Sequence, residues 1–245
     1  MALRALLWDV DGTLAETERD GHRVAFNRAF AEAGLPLHWQ EGDYGRWLEI
    51  SGGHERLRAA LTELEGEPPE PEQVRALQAC KQRHYTSLLA TGGLGLRPGV
   101  AELVVEARAA GLAQAIVTTS GRQALQGLEQ QLLGSLGPAF SLRLCGEDVA
   151  RKKPDPEAYQ RAVTALGWQA ADLLAIEDSP QGLAAATAAG LPCLLTLSHY
   201  SRPLPLERFA SARAVVSGLG ADAMVLRGPP CQAGRITLSY LQSLL

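Results

Sequence analysis

An apolar run, Ala5-Leu6-Leu7-Trp8, ends in Asp9-Val10-Asp11-Gly12-Thr13. A short apolar run closed by a turn signal predicts a buried strand. Two carboxylates at its end repel each other unless a cation or a shared proton relieves them. Three more polar stations stand at the ends of predicted elements: Thr118-Thr119-Ser120, Lys153 ahead of Pro154, and Glu177-Asp178. In a parallel sheet such ends lie along one edge, where open α/β sheets bind ligands. Carboxylates hold a hard cation such as Mg²⁺ through oxygen, while a hydroxyl and an ammonium donate to an anion. That is equipment for moving a phosphoryl group: neutralise its oxygens, align it with a nucleophile and protonate what leaves. Each station also has a plainer reading. The aspartates could end a strand in a solvated turn. Thr118 to Ser120 could be a helix cap, Lys153 has Lys152 beside it, and Asp178-Ser179 could cap a helix opened by Pro180.

The elements that must position these residues follow from pattern. After Leu14, apolar residues at Phe26, Ala29, Phe30 and Ala33 share one helical face, with Gly34 as stop. Residues 38 to 53 hold Trp39, Tyr44, Trp47 and Gly52-Gly53. Leu57, Leu61 and Leu64 mark a second helix, and Val74, Leu77, Tyr85, Leu88 and Leu89 another. About four helices with no strand among them, left through Gly92, Gly93 and Gly95, predict an inserted helical cap with a glycine hinge. Beyond residue 96 helices and strands alternate. Strands are predicted at 112–117, 140–145, 173–176, 192–197 and 214–216, with helices from Pro98 to Gly111, to about Leu133, from Asp155 to Gly167 and from Ser179 to Gly190. This alternation predicts a parallel sheet with helices on both faces. The expected division is an α/β core over 1–15 and 96–245 with a helical cap over 16–95. The tail from 226 to 245 carries no motif, only a helix-like turn at 236–245.

The chain has 245 residues, 46% hydrophobic and 20% charged, as a folded soluble protein has. A net charge of −4 without a long basic run argues against nucleic acid or an anionic membrane as partner. Four scattered cysteines without a Cys-x-x-Cys predict reduced thiols, and no apolar run suits a signal peptide or a membrane span. The expectation is a cytoplasmic monomer.

Asp9-Val-Asp11-Gly-Thr-Leu, Thr118-Thr-Ser, Lys153-Pro-Asp-Pro and Ile176-Glu-Asp-Ser-Pro-Gln-Gly resemble, in order, the four motifs of haloacid-dehalogenase-type phosphohydrolases. The insertion past the first motif resembles their C1-type helical cap on a Rossmann-like core. Ala15-Glu-Thr-Glu18, Asp20-Gly-His22-Arg, Ala25-Phe-Asn27, Tyr44 and Gly52-Gly53-His-Glu-Arg56-Leu resemble the CbbY-type phosphatases. That resemblance implies hydrolysis of xylulose 1,5-bisphosphate, an inhibitory misfire product of carbon fixation. It implies Asp9 as nucleophile and Asp11 as acid and then base, its protonation favoured by crowded carboxylates. It implies Mg²⁺ on Asp9, the Asp11 carbonyl and Asp178, with Glu177 near or through water, and phosphoryl oxygens held by Thr118, Thr119 and Lys153. Trp8 stands where relatives carry phenylalanine, and Gly121-Arg122-Gln123 where they often place an asparagine.

A bisphosphate brings a second dianion. Arg56 behind Gly52-Gly53 suits it, because backbone N–H groups approach closely and guanidinium forks onto phosphate. Lys81, read on the helix face opposite Leu77 and Tyr85, adds charge. Glu18, His22 and Tyr44 are candidates for sugar hydroxyls, with a packed histidine and a cap-core tyrosine as the plainer alternatives. Arg97 reads as a hinge anchor. A hexose-phosphate mutase of the β-phosphoglucomutase kind would use the same motifs, and a non-catalytic binding protein could share the fold.

Overall fold

The computed structural model describes residues 2–231 and 234–245. Residue 1 of the first core segment and residues 232 and 233 of the tail lie outside them. Strand β1 (Ala5–Trp8) leads through a π-helical turn (Glu18–His22) into α1 (Arg23–Glu32), α2 (Glu41–Trp47), α3 (Gly53–Glu65) and α4 (Pro71–Ala90). Then α5 (Val100–Ala109), β2 (Ala113–Val117), α6 (Arg122–Leu128), β3 (Leu142–Leu144), α7 (Glu157–Leu166), β4 (Leu173–Glu177), α8 (Pro180–Ala188) and β5 (Cys193–Thr196) follow. The chain closes with β6 (Ala214–Val216), β7 (Val225–Arg227) and α9 (Leu238–Gln242).

The strands form one sheet in the order β3-β2-β1-β4-β5-β6-β7. Every neighbouring pair is parallel except β6 with β7. The chain builds outward from β1 through β2 to β3, then crosses to β4 on the other side of β1. The strand order therefore switches beside β1, and the crevice at its C-terminal end is where α/β sheets take ligands. Alternation places Leu6, Trp8, Ile116, Leu174 and Ile176 in one apolar layer, with α5, α6 and α9. Ala5, Leu7, Ala115, Val117, Leu173 and Ala175 lie in the other, with α7 and α8. Both faces are covered, which is why these strands read as unbroken apolar runs.

Helices α1 to α4 bury a third cluster around Phe26, Phe30, Trp39, Tyr44, Leu57 and Leu61. The two connections to the sheet run side by side: Ala15 bridges Leu96, and Arg97 N–H donates to Leu14 O at 2.9 Å. Arg97 also donates from its guanidinium to the carbonyls of Gly12 and Leu197, so it ties the neck to the loops after β1 and β5. Helix starts follow the predicted chemistry: Asp155 Oδ1 accepts Glu157 N–H at 3.0 Å, and Ser179 Oγ accepts Gly182 N–H at 3.1 Å.

Three features differ from the pattern reading. Helix α2 forms around Trp39, Tyr44 and Trp47 without an apolar period, because these rings pack on Phe26 and on one another. The edge strand β7 is short and half-exposed, so it lacks an apolar run. The tail is structural: Ile236, Tyr240, Leu241 and Leu244 are buried in the layer that holds Leu6 and Trp8. No described helix is long and apolar enough to cross a membrane.

Candidate active site

Asp9 and Asp11 project past the end of β1. Gly12 has φ +86°, and a Cβ there would stand 2.1 Å from Asp178 Oδ2. Only glycine lets this turn pass so close to the carboxylate from the end of β4. Carboxylate oxygens of Asp9, Glu177 and Asp178 all lie within 4.8 Å of one another, and all three residues are buried. One ammonium faces them. Lys153 Nζ donates to Asp9 Oδ1 at 2.8 Å, Glu177 Oε1 at 2.6 Å and Val117 O at 2.8 Å. Lys152, the alternative lysine, pairs instead with Glu55 on α3 at 2.7 Å. Tyr159 O–H donates to Glu177 Oε1 at 2.5 Å.

Three carboxylates against one ammonium leave negative charge in excess where burial makes it costly. Burial pushes the Asp9 carboxyl up to about 7, with Lys153 opposing and Glu177 and Asp11 adding. Burial, Asp9 and Glu177 likewise push Asp178 well up. Burial works against the Lys153 ammonium, but Asp9 and Glu177 outweigh it and hold it protonated above the usual lysine range. A buried set of hard oxygen donors with charge to spare fits a hard divalent cation.

Asp11 is treated differently. Its Oδ1 accepts Thr17 Oγ1–H at 2.5 Å and faces His22 Nε2 at 2.9 Å, and its Oδ2 accepts the Ser120 hydroxyl. Burial would raise this carboxyl, but His22 and these hydrogen bonds outweigh it and hold it well below the usual range. The expectation that crowded carboxylates favour the protonation of Asp11 is therefore corrected: its hydrogen-bond partners are donors, not carboxylates. Lys81 Nζ lies 2.7 Å from His22 Nδ1. An ammonium only donates, so Nδ1 accepts and Nε2–H is left to donate to Asp11. His22 stacks on Tyr85 with ring centroids 4.1 Å apart.

Lys81 corrects another expectation. It does not lie opposite Tyr85: residues four apart share a helix face, and Nζ sits 5.0 Å above the Tyr85 ring and 4.8 Å above Phe26. Arg56 is also buried. It donates to Ile50 O at 2.9 Å, to Tyr44 Oη at 2.8 Å and to Glu18 Oε1 at 3.2 Å, while Tyr44 O–H donates to Glu18 Oε2 at 2.7 Å. Gly52, with φ +94°, opens α3 beside them.

These groups share one cleft between the sheet edge and the helical unit. Of the predicted residues, Asp9, Asp11, Thr119, Lys153 and Asp178 line its sheet side, and Glu18, His22, Gly52, Gly53, Arg56 and Lys81 its helical side. Thr118, Glu177 and Tyr44 stand behind the wall. The Thr118 hydroxyl accepts Ser120 N–H at 3.0 Å, as in a cap, and keeps its own proton to give. The residue reading missed Thr17, Ser120, Tyr159 and Tyr85 as partners. Thr17 and Ser120 lie inside quoted motifs, where their spacing to Asp11 was the available signal. Tyr159 and Tyr85 carry none.

The model of haloacid dehalogenase-like hydrolases matches residues 3–190. The chain belongs to that family. Among the haloacid dehalogenase-like hydrolases it is a phosphatase of the CbbY-type subgroup. It is 45% identical to Protein CbbY of Rhodobacter capsulatus over 224 residues, covering 91% of this chain and 96% of that one. It is 42% identical to the plasmid-borne Protein CbbY of Cupriavidus necator, over 90% of this chain and 87% of that one. Among solved structures, a substituted CbbY from Rhodobacter sphaeroides in complex with xylulose-(1,5)bisphosphate superposes with a TM-score of 0.81 at 35% identity, covering 88% of this chain and 94% of that one. A β-phosphoglucomutase from Clostridium difficile, 17% identical with a TM-score of 0.76, shares the fold over 99% of this chain and 96% of that one.

Proposed function

We propose that the chain is a Mg²⁺-dependent phosphatase of a phosphorylated sugar, with xylulose 1,5-bisphosphate as the substrate that fits best, and that residues 16–95 act as its cap. The observation that carries the reading is a cleft with cationic groups at both ends. Lys153 stands beside Asp9 at one end, Arg56 stands in the first turn of α3 at the other, and Lys81 stands beside His22 on the helical side. A bisphosphate needs both. The complex of the related CbbY with xylulose-(1,5)bisphosphate supports the same choice. The four cysteines are unpaired thiols, which supports a reducing, cytoplasmic setting, and the chain is taken to act as a monomer.

In this reading an Asp9 carboxylate oxygen attacks phosphorus, and the bond from phosphorus to the sugar oxygen breaks. Lys153 orients that carboxylate and, with Thr118 and the Thr119 backbone, donates to the phosphoryl oxygens. Asp11 protonates the departing sugar oxygen. A phosphate dianion beside Asp11 raises its proton affinity, which offsets the donors that hold it ionised at rest. Water then attacks the aspartyl-phosphate, giving its proton to Asp11 and freeing Asp9. Asp9, Glu177, Asp178 and the Asp11 carbonyl would hold Mg²⁺, which when bound neutralises charge on the phosphoryl group. Arg56, the N–H groups at Gly52-Gly53 and Lys81 hold the second phosphate, and Glu18, His22 and Tyr44 face the sugar.

The test is inorganic phosphate release from a panel of sugar mono- and bisphosphates, with and without Mg²⁺ and without a bisphosphate primer. Release from xylulose 1,5-bisphosphate is expected, lost with chelator and lost by about 10³-fold or more in Asp9→Asn. Unchanged release in Asp9→Asn would sink the mechanism. Transfer to a sugar instead of water would establish the mutase reading.

A further inference from the structure

Buried polar atoms without a hydrogen-bond partner are unusual in folded proteins, and each asks for a reason. Among the described residues, Gln78 Oε1 and Gln82 Nε2 are two of them, and both residues line the active cleft. They stand one turn apart on α4, so their side chains leave the same helix face. Gln82 is only 6% exposed. The Gln78 amide reaches the start of α3: a Cβ on Gly53 would lie 3.5 Å from its Oε1. The pair thus borders the cleft between the α3 start, where the second phosphate is proposed to sit, and Lys81 and His22, which bear on Asp11.

We propose that Gln78 and Gln82 form a neutral subsite that recognises hydroxyl groups on the carbons between the two phosphates; this rests on the phosphatase reading above. An orphaned carbonyl needs a donor and an orphaned amide N–H an acceptor. A hydroxyl is both. A phosphate or carboxylate anion only accepts, so it would leave the Gln78 carbonyl unmet and repel it. Turning either amide end for end exchanges its nitrogen and oxygen, yet each residue still keeps a carbonyl that only a donor satisfies. Charge for anions is already supplied nearby by Lys81 and Arg56. The glutamines therefore add selection for a hydroxylated chain over a small phosphoacid that has none. Neither orphaned atom has a partner within the protein, and a buried polar group without one is disfavoured relative to an aliphatic one.

The experiment compares Gln78→Leu, Gln82→Leu and the double variant with the unsubstituted chain. Steady-state rates are measured on xylulose 1,5-bisphosphate, which carries hydroxyls, and on p-nitrophenyl phosphate, which carries none. Calorimetry measures binding of xylulose 1,5-bisphosphate to the Asp9→Asn chain with and without each glutamine change, and melting temperature reports folding. A site built to hydrogen-bond a hydroxyl loses heavily when its partner is removed. The expected loss in kcat/KM on the bisphosphate is about 10- to 100-fold per glutamine, mainly through KM, and exceeds the loss on p-nitrophenyl phosphate by about tenfold. The Kd in the Asp9→Asn chain weakens by a similar factor, while the leucine variants melt no lower than their parent. Equal losses on both esters, or none on the bisphosphate, overturn the inference. If the unsubstituted chain releases phosphate from neither ester, the phosphatase reading fails, and the glutamines are judged by Kd alone. There an unweakened Kd, or no binding of the sugar bisphosphate, overturns them.

Discussion

Asp9 shares its surroundings with Glu177, Asp178 and a single ammonium, whereas Asp11 accepts hydrogen bonds from Thr17 and Ser120 and faces His22. Two identical side chains two residues apart are thus driven in opposite directions, Asp9 toward holding a proton and Asp11 toward losing one. The roles proposed for them therefore depend on the charge that a bound cation would bring to Asp9 and that the substrate dianion would bring to Asp11. Lys81 is the supporting residue whose titration is most accessible. Burial pushes its ammonium down to about 8 from the ordinary 10.5, against the pull of Glu18 and Asp11. At pH 7 the group is charged both folded and unfolded, and its burial costs stability. Between about 8 and 10.5 the unfolded chain keeps the proton that the folded chain releases, so this group's contribution to stability rises with pH there. The full rise is about 3 kcal/mol. Urea unfolding of the parent and of Lys81→Met, compared from pH 7 to 10, should show it as a gain of the parent relative to the variant, since the other alkaline groups cancel. A difference independent of pH would mean that Lys81 is not desolvated. At pH 7 the same variant should also lose phosphatase activity by about tenfold or more, because His22 loses the donor that leaves Nε2–H for Asp11.

The strands set where those residues stand, and β1 shows how a sequence variant is absorbed. Trp8 carries an indole N–H into a layer of aliphatic side chains. Its Nε1–H donates to Gln114 Oε1 at 3.0 Å, and Gln114 Nε2–H donates in turn to Val104 O at 3.0 Å. Trp8 with its glutamine is a matched pair across β1 and β2. Trp8→Phe leaves the Gln114 carbonyl buried and unmet and should cost about 1–3 kcal/mol. Adding Gln114→Leu should recover part of that cost. Chemical denaturation of the two single variants and the double would measure the coupling, and strict additivity would refute it. The strand ends were legible in the sequence because Asp9, Thr118 and Glu177 close apolar runs, Lys153 precedes a proline, and an alternating helix–strand pattern brings such ends to one sheet edge. The cap was not legible in the same way. Glutamine is common on helix surfaces, so Gln78 and Gln82 become notable only once α1, α3 and the sheet edge enclose them, whereas Lys81 stands out in the sequence by its charge. The four-residue spacing of Lys81 and Tyr85 itself puts them on one helix face, so the face expected for Lys81 ran against a signal the sequence carries. Helix α2 and strand β7 escaped because one rests on aromatic packing from other elements and the other is a three-residue edge.

At the scale of the whole molecule, catalysis and folding are assigned to different stretches, and the tail is the sharpest case. It carries no chemistry-bearing motif, yet Ile236, Tyr240, Leu241 and Leu244 are buried in the layer that also supports β1. Glu106 of α5 accepts Leu238 N–H at 3.0 Å and pairs with Arg235, which pins α9 to the sheet's helix layer. Burying four such side chains contributes on the order of 6–10 kcal/mol, comparable with the roughly 5–15 kcal/mol that holds a domain together. A chain ending at Arg235 should therefore fail to fold, read by circular dichroism and recovery in the soluble fraction. Leu241→Ala is the graded version, with an expected cost of about 2–5 kcal/mol. Its kcat/KM on a sugar phosphate, measured below its melting transition, should stay within about twofold of the parent, because Leu241 is not among the residues lining the cleft. A large fall in kcat at unchanged stability would instead mean that α9 reaches the reaction, through the β1 layer that it packs against. The two measurements separate support of the sheet from participation at its edge, which inspection of a tail without motifs does not.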